Sequence, residues 1–278
     1  MKKANKHPLT YTLLIVITLV FLFPILVVAM NSFKSQFFIL TEPFTVPTEA
    51  NGLFAGVSNY KSGITKTDFF KAFGYSLFIT VCSVTVIIFF TSMTGWFITR
   101  VKTWYTKVIY YALVFSMIVP FQMVMFTMSK TANMLHLDNP VGIILIYLGF
   151  GAGLSTFMFA GFAKSIPIDI EEAALIVGYS PIKTFFSVVF PILRPTAVTV
   201  AILNAMWIWN DYLLPYLLLG TDYKTIPIAV QYLRGGYGSV DWGAMMAVLV
   251  LAIIPIIVFY LSCQKYIIKG VTAGAVKG

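Results

Sequence analysis

Uncharged, apolar stretches of about twenty residues recur along this 278-residue chain, and that recurrence leaves few folds open. At ~1.5 Å per residue, each stretch can cross the ~30 Å hydrocarbon core of a bilayer as a helix. Lipid offers no partners to backbone N–H and C=O groups, so a spanning chain must close its hydrogen bonds as helices or as a barrel. A barrel reads as ~10-residue segments of alternating polarity. These runs are continuous, which points to an all-α polytopic membrane fold. The composition agrees, being 59% hydrophobic and 10% charged with a mean hydropathy of +0.89.

Six spans are expected, over residues 9–31, 74–98, 108–128, 140–163, 196–220 and 243–264, as a single transmembrane domain covering 1–278. The run from Leu9 to Met30 exceeds the h-region of a signal peptide and is expected to be retained. With the N-terminus inside, the inner segments hold Lys2, Lys3, Lys6, Arg100, Lys102, Lys107, Lys164, Lys183, Arg194, Lys265, Lys269 and Lys277 against Asp169, Glu171 and Glu172. That side carries the whole formal excess of +9, so both termini are expected in the cytoplasm. The basic residues are thus topology determinants, not a patch for nucleic acid.

The chain lacks the residues of an enzyme. No Gly-Lys dipeptide occurs, so there is no phosphate-cradling loop. Two isolated histidines and the cysteines Cys82 and Cys263, both within apolar runs, offer neither a metal cluster nor a nucleophile–base pair. The outer loop from about Asn31 to Ala72 reads as an extended strap. In the fourth span, Gly149/Gly153 and Gly151/Ser155 have the small-xxx-small spacing that lets helices approach closely.

Between Lys164 and Pro195 the chain turns polar and proline-punctuated. Asp169, with Glu172 three residues on, reads as a variant capping box. Glu171 and Glu172 put negative charge at the positive end of the helix dipole. Ile170, Ala173, Ala174 and Val177 keep i, i+3, i+4, i+7 spacing and form an apolar stripe. Gly178 ends the helix where a left-handed residue is wanted. Ser180-Pro181 opens a second helix, and Pro191 and Pro195 break it before the fifth span. Such a helix lies on lipid headgroups or docks on a protein. Interfacial helices favour Lys and Arg on the polar face, and this one leads with acids, which favours a protein partner.

Glu172-Ala173-Ala174, Gly178 and Val188-Val189-Phe190-Pro191 resemble the E-A-A-x3-G-x9-I-x-L-P signature of ABC importer permeases, with Val188 and Phe190 at the Ile and Leu positions. The tail from Gly270 to Gly278 is similar to that of the smaller maltose-type permease subunit. Trp209-Asn210-Asp211-Tyr212-Leu213-Leu214-Pro215 is similar to a fifth-span motif of carbohydrate permeases. The resemblance covers essentially the whole chain. It implies a bacterial cytoplasmic-membrane complex of this chain, a second homologous permease, an ATPase dimer that binds the ATP and Mg, and an extracytoplasmic solute-binding protein. It implies no cofactor in this chain. ATPase coupling would fall to Glu171, Glu172, Ala173, Ala174, Gly178 and Pro191, with Glu172 meeting basic residues in a cleft of the ATPase and the C-terminal tail reaching the same interface.

Asp211 is the one formal charge inside an expected span, and a carboxylate at membrane depth faces protein or water. Pro215 cannot donate to the Asp211 carbonyl, so the helix is expected to open there. Asn204, Trp207, Trp209, Asn210 and Tyr212 surround the break and supply the stacking faces and amides that bind sugars. Gln122, just after Pro120 in the third span, is a further pathway candidate. Membership of an interfacial aromatic belt, and a capping role for Asp211, stay open. In the outer loop 221–242, Gly235 and Gly236 precede Tyr237. The resemblance implies a loop that enters the binding protein's cleft, the alternative being a connector. The whole reads as the membrane subunit of an ATP-driven carbohydrate importer, an oligosaccharide importer in particular. A permease for a non-sugar solute is the alternative, with a membrane-embedded enzyme behind it.

Overall fold

The computed structural model describes residues 8–50, 53–233 and 240–275, with backbone only for Pro8 and for 265–275. Helices α1 (Pro8–Asn31), α2 (Gln36–Thr41), α3 (Ser58–Thr67), α4 (Phe69–Arg100), α5 (Trp104–Ser116), α6 (Phe121–Met134) and α7 (Gly142–Ala163) are followed by α8 (Ile168–Ile176) and α9 (Pro181–Thr184). A π-helical turn (Phe185–Val189) then leads into α10 (Phe190–Asn210), α11 (Leu213–Leu219), α12 (Ile226–Gln231) and α13 (Trp242–Ala275). The one strand-like pairing among the described residues is a bridge between Lys34 and Phe54.

Five described helices are long and apolar enough to cross a membrane: Leu9–Asn31, Phe69–Arg100, Gly142–Ala163, Pro181–Asn210 and Trp242–Gln264. Residues 108–128 do not form the straight span expected. They are shared between α5 and α6, which bend 108° from one another and together make a sixth span if counted as one. Pro120 has no N–H to continue the ladder, disfavours helical backbone at Val119, and itself stands at the N-cap of α6. The expected 196–220 span is also divided, α10 stopping at Asn210 and α11 resuming at Leu213.

The chain clusters into two compact units. The first holds residues 1–70 and 229–255. In it α1 is exposed as far as Leu26. The segment after α1 is not the extended strap expected but a folded knot containing α2 and α3. Its polar side chains close the backbone bonds that irregular chain leaves open. Asn31 donates from Nδ2 to the Pro43 carbonyl (2.9 Å), and Asn59 donates to the carbonyls of Ser32 (2.9 Å) and Lys34 (2.7 Å). Lys34 is fully buried and its ammonium donates to the Glu42 carbonyl (2.5 Å). Burial pushes the Lys34 ammonium below its ordinary value, and the nearby Glu42 carboxylate offsets part of that shift. Asp241 precedes α13, accepts from the Ala244 N–H (3.0 Å) and pairs with Lys66 (2.5 Å).

The second unit holds 71–228 and 256–278. Its core joins Ile87 of α4, Tyr147 and Phe159 of α7, Phe185 and Val189 of the π-turn, and Leu193 and Val200 of α10. α4 and α7 touch at Gly95, where a Cβ would lie 2.9 Å from the Ala160 nitrogen, so a larger residue would push the helices apart. Of the small residues in α7, Gly151 and Ser155 meet α4 or α10, Gly153 meets α5, and Gly149 has open space around it. Cys82 and Cys263 are free and half-buried.

Candidate functional site

The α8–α9 loop is built by its end residues. Pro167, not Asp169, occupies the N-cap of α8, where its fixed φ of −57° suits the entry. Asp169 and Glu171 fall in the first turn, at the positive end of the dipole. At the other end Gly178 adopts φ +91°. The Gly178 N–H bonds to Leu175 O (2.9 Å) and the Tyr179 N–H to Ala174 O (3.0 Å), the paired bonds of a Schellman stop. Ser180 then caps α9, accepting from the Lys183 N–H (3.3 Å), with Pro181 at its first turn.

Pro191 and Pro195 do not break the helix that follows, contrary to expectation. The ladder widens into the π-turn, where the Phe190 N–H bonds to Phe185 O, five residues back. This relaxes the spacing ahead of Pro191, which would otherwise strike the Ser187 carbonyl, while Pro195 lies inside α10. α9, the π-turn and α10 therefore form one helical body from Pro181 to Asn210.

The two glutamates of α8 face opposite ways. Glu172 is exposed, whereas Glu171 is buried. Arg100 donates to Glu171 Oε1 from Nη2 (2.6 Å) and Nε (3.0 Å), and Trp96 donates to Oε2 (2.9 Å). Arg100 also donates to the Ile166 carbonyl (3.0 Å). Of the apolar stripe, Ile170, Ala173 and Val177 are exposed and Ala174 is half-buried. With Ile176 at 86% and Ile182 at 66% exposure, the loop presents an apolar face beside the Glu172 carboxylate. Sequence reasoning missed the Glu171 clamp. The available signal was Arg100, the cation that closes a long apolar run.

Around the second interruption, Asp211 stands at the C-cap of α10 with extended backbone. Its Oδ1 accepts from the N–H groups of Leu213 (3.0 Å) and Leu214 (3.4 Å), and the Tyr147 hydroxyl donates to Oδ2 (3.1 Å). The break falls where Asp211 and Pro215 placed it. Trp207, 41% exposed, packs edge-on against Tyr147 at 5.4 Å. Leu203, Met206, Trp207 and Asn210 follow one another along a single exposed face of α10. Tyr212 is half-buried and stacks with Tyr216 (5.1 Å). Asn204 lies elsewhere: it is 6% exposed and donates to Ser155 Oγ (3.1 Å) and Val200 O (2.9 Å), tying α10 to α7. Gln122 is exposed on α6. Gly235, Gly236 and Tyr237 lie outside the described residues. No cluster of potential metal ligands occurs among the described residues.

Residues 87–273, which contain both interruptions, match the family of the binding-protein-dependent transport system inner membrane component. The chain belongs to this family. The permease is 35% identical over 274 residues to the probable starch degradation products transport system permease protein AmyC of Thermoanaerobacterium thermosulfurigenes, across 98% of this chain and 97% of that one. It is 33% identical over 290 residues to the multiple sugar-binding transport system permease protein MsmG of Streptococcus mutans, across 100% of both. Its fold matches a chain in the crystal structure of a bacterial ABC transporter involved in the import of the acidic polysaccharide alginate, with a TM-score of 0.78 and 21% identity over 96% of this chain and 99% of that one. As a family member the permease is a multi-pass inner-membrane subunit that works with a solute-binding protein and an ATPase. ATP is bound and hydrolysed by that ATPase, and the permease carries no cofactor of its own.

Proposed function

We propose that the permease imports carbohydrate, oligosaccharide in particular, as a single transmembrane domain paired with a second homologous permease, both termini lying in the cytoplasm. The carrying observation is likeness along the whole chain to permeases named for starch degradation products and for multiple sugars. The exposed face of α8 and α9 supports an ATPase docking role: Glu172 meets basic groups, and Ile176, Val177 and Ile182 fill an apolar cleft. Trp207, Asn210 and Tyr212 line the solute path with Gln122, while Asn204 holds α10 against α7 and Asp211 keeps the helix open. The loop carrying Gly235, Gly236 and Tyr237 reaches the binding protein.

The decisive experiment reconstitutes the complete transporter and screens oligosaccharides, amino acids and other solutes for stimulation of ATP hydrolysis through the binding protein. Stimulation by amino acids and not by sugars overturns the carbohydrate reading. Glu172→Lys should insert normally but lose the ATPase on purification. In Gly178→Val the added Cβ meets nothing within 4 Å, so its harm is backbone strain of about 1–2 kcal/mol plus a misaimed loop. A cysteine at position 183 should resist membrane-impermeant reagents in intact cells, and deletion of 235–238 should spare assembly but impair uptake.

A further inference from the structure

Glu171 adjoins the docking acid Glu172 in sequence yet enters a socket made by another helix. Its side chain is 7% exposed, and both carboxylate oxygens are held, one by Arg100 and one by Trp96. The same guanidinium donates to Ile166 O, in the short turn joining α7 to α8. α4 is itself seated on α7 at this end, through the Gly95 approach and the Thr99 hydroxyl, which donates to the Ala160 carbonyl (3.4 Å). Trp96 also packs on Phe185, the first residue of the π-turn, at 5.2 Å. α8 is thus bonded by charge-assisted hydrogen bonds to α4, and α4 touches the turn from which α10 grows.

We propose that Arg100, Trp96 and Glu171 form a latch that makes α8 and the Arg100 end of α4 move as one body, delivering a push on the docking face to the π-turn and α10. α8 also packs directly against α9 and the π-turn, but packing without directed bonds leaves it free to swivel under a push. The latch removes that freedom, and Glu171 acts in it as a positioning residue that never meets ATP or solute. The inference rests on the reading of α8 as the ATPase docking helix.

The test uses the assembled transporter, with its ATPase and binding protein, in proteoliposomes. Glu171→Gln removes the charge but keeps an acceptor, Trp96→Phe removes one donor, and Arg100→Glu combined with Glu171→Arg rebuilds the pair reversed. The ATPase should stay bound in each. Solute moved per ATP hydrolysed should fall about tenfold in Glu171→Gln, less in Trp96→Phe, and recover in part in the reversed pair. A merely structural role would lower the yield of complex and leave that ratio alone. A wild-type ratio in Glu171→Gln and Trp96→Phe overturns the latch; should Glu171→Gln fail to assemble, Trp96→Phe alone decides. Glu172→Lys, run beside them, separates the two readings: an ATPase that stays bound to it contradicts docking, whereas unchanged coupling in Glu171→Gln contradicts the latch alone.

Discussion

The buried carboxylate of Glu171 and the half-buried one of Asp211 are satisfied in opposite ways. Glu171 is held by a cation and an indole from α4, so its bonds join separate helices. Asp211 is held by the N–H groups of the helix it opens and by the Tyr147 hydroxyl, all neutral donors. A charge pair costs much desolvation and returns it only while both partners stay together. Neutral donors hold a carboxylate without committing a second charge to the apolar interior. The first arrangement suits a rigid joint and the second a stop and restart of one span.

The largest effect that could break this contrast is at Arg100. Arg100→Ala strands Glu171 beneath the loop and should lower stability by about 3–5 kcal/mol. Thermal unfolding of the purified complex reads it, and a loss no larger than that of an exposed pair would show that Glu171 is not committed to its cation. Next comes Asp211→Ala, which frees the N–H groups of Leu213 and Leu214 and should cost about 1–3 kcal/mol. Asp211→Asn keeps the accepting oxygen and should cost less. Equal damage from the two would mean that the charge, not the cap, matters there. Tyr147→Phe removes a single donor and should cost about 1 kcal/mol in the same measurement.

Asp241 sharpens the contrast because it combines both modes, capping α13 and pairing with Lys66, but at the surface, where the side chains are 25% and 57% exposed. Burial pushes its carboxyl up, but hydrogen bonds from Lys66, the Ala244 N–H and Ser62 outweigh this and hold it below its ordinary value of 3.8. Its contribution is therefore fully present above that value and is lost as pH falls through the lower value of the folded form. Protection of the Ala244 amide against hydrogen exchange should drop in that acid window, modestly, and Asp241→Asn should show no such step. This is the smallest of the effects, since exposed pairs are screened by water and salt.

The sequence made the spans readable because a lipid-crossing helix needs an uninterrupted apolar run, and the expected 9–31 and 243–264 lie within α1 (Pro8–Asn31) and α13 (Trp242–Ala275). Gly178 and Asp211 were legible from local chemistry, since glycine tolerates the positive φ of a helix stop and Asp211 with Pro215 marks where a span opens. What escaped was set by partners distant in sequence. Asp169 has the chemistry of a cap, but Pro167 fills that position itself. Glu171 and Glu172 are the same residue type side by side, and only the position of Arg100 decides which turns inward. Pro191 and Pro195 carry the signal of a helix break, but the ladder widens by one residue ahead of Pro191, and Pro195 is accommodated inside α10. Pro120 carries the same signal and there the chain does bend, whereas Pro24 and Pro255 stay inside continuous helices.

The π-turn at Phe185–Val189 also sets an angular phase. Each residue of an α-helix turns the chain by about 100°, so one surplus residue absorbed in a wider turn fixes how far the exposed row of Leu203, Met206, Trp207 and Asn210 is rotated from α8. Conservative replacements within Phe185–Val189 leave that angle alone, whereas removing any one residue there would swing the row about a quarter of the way round the helix axis. The segment should thus tolerate exchange of side chains far better than a change in its length.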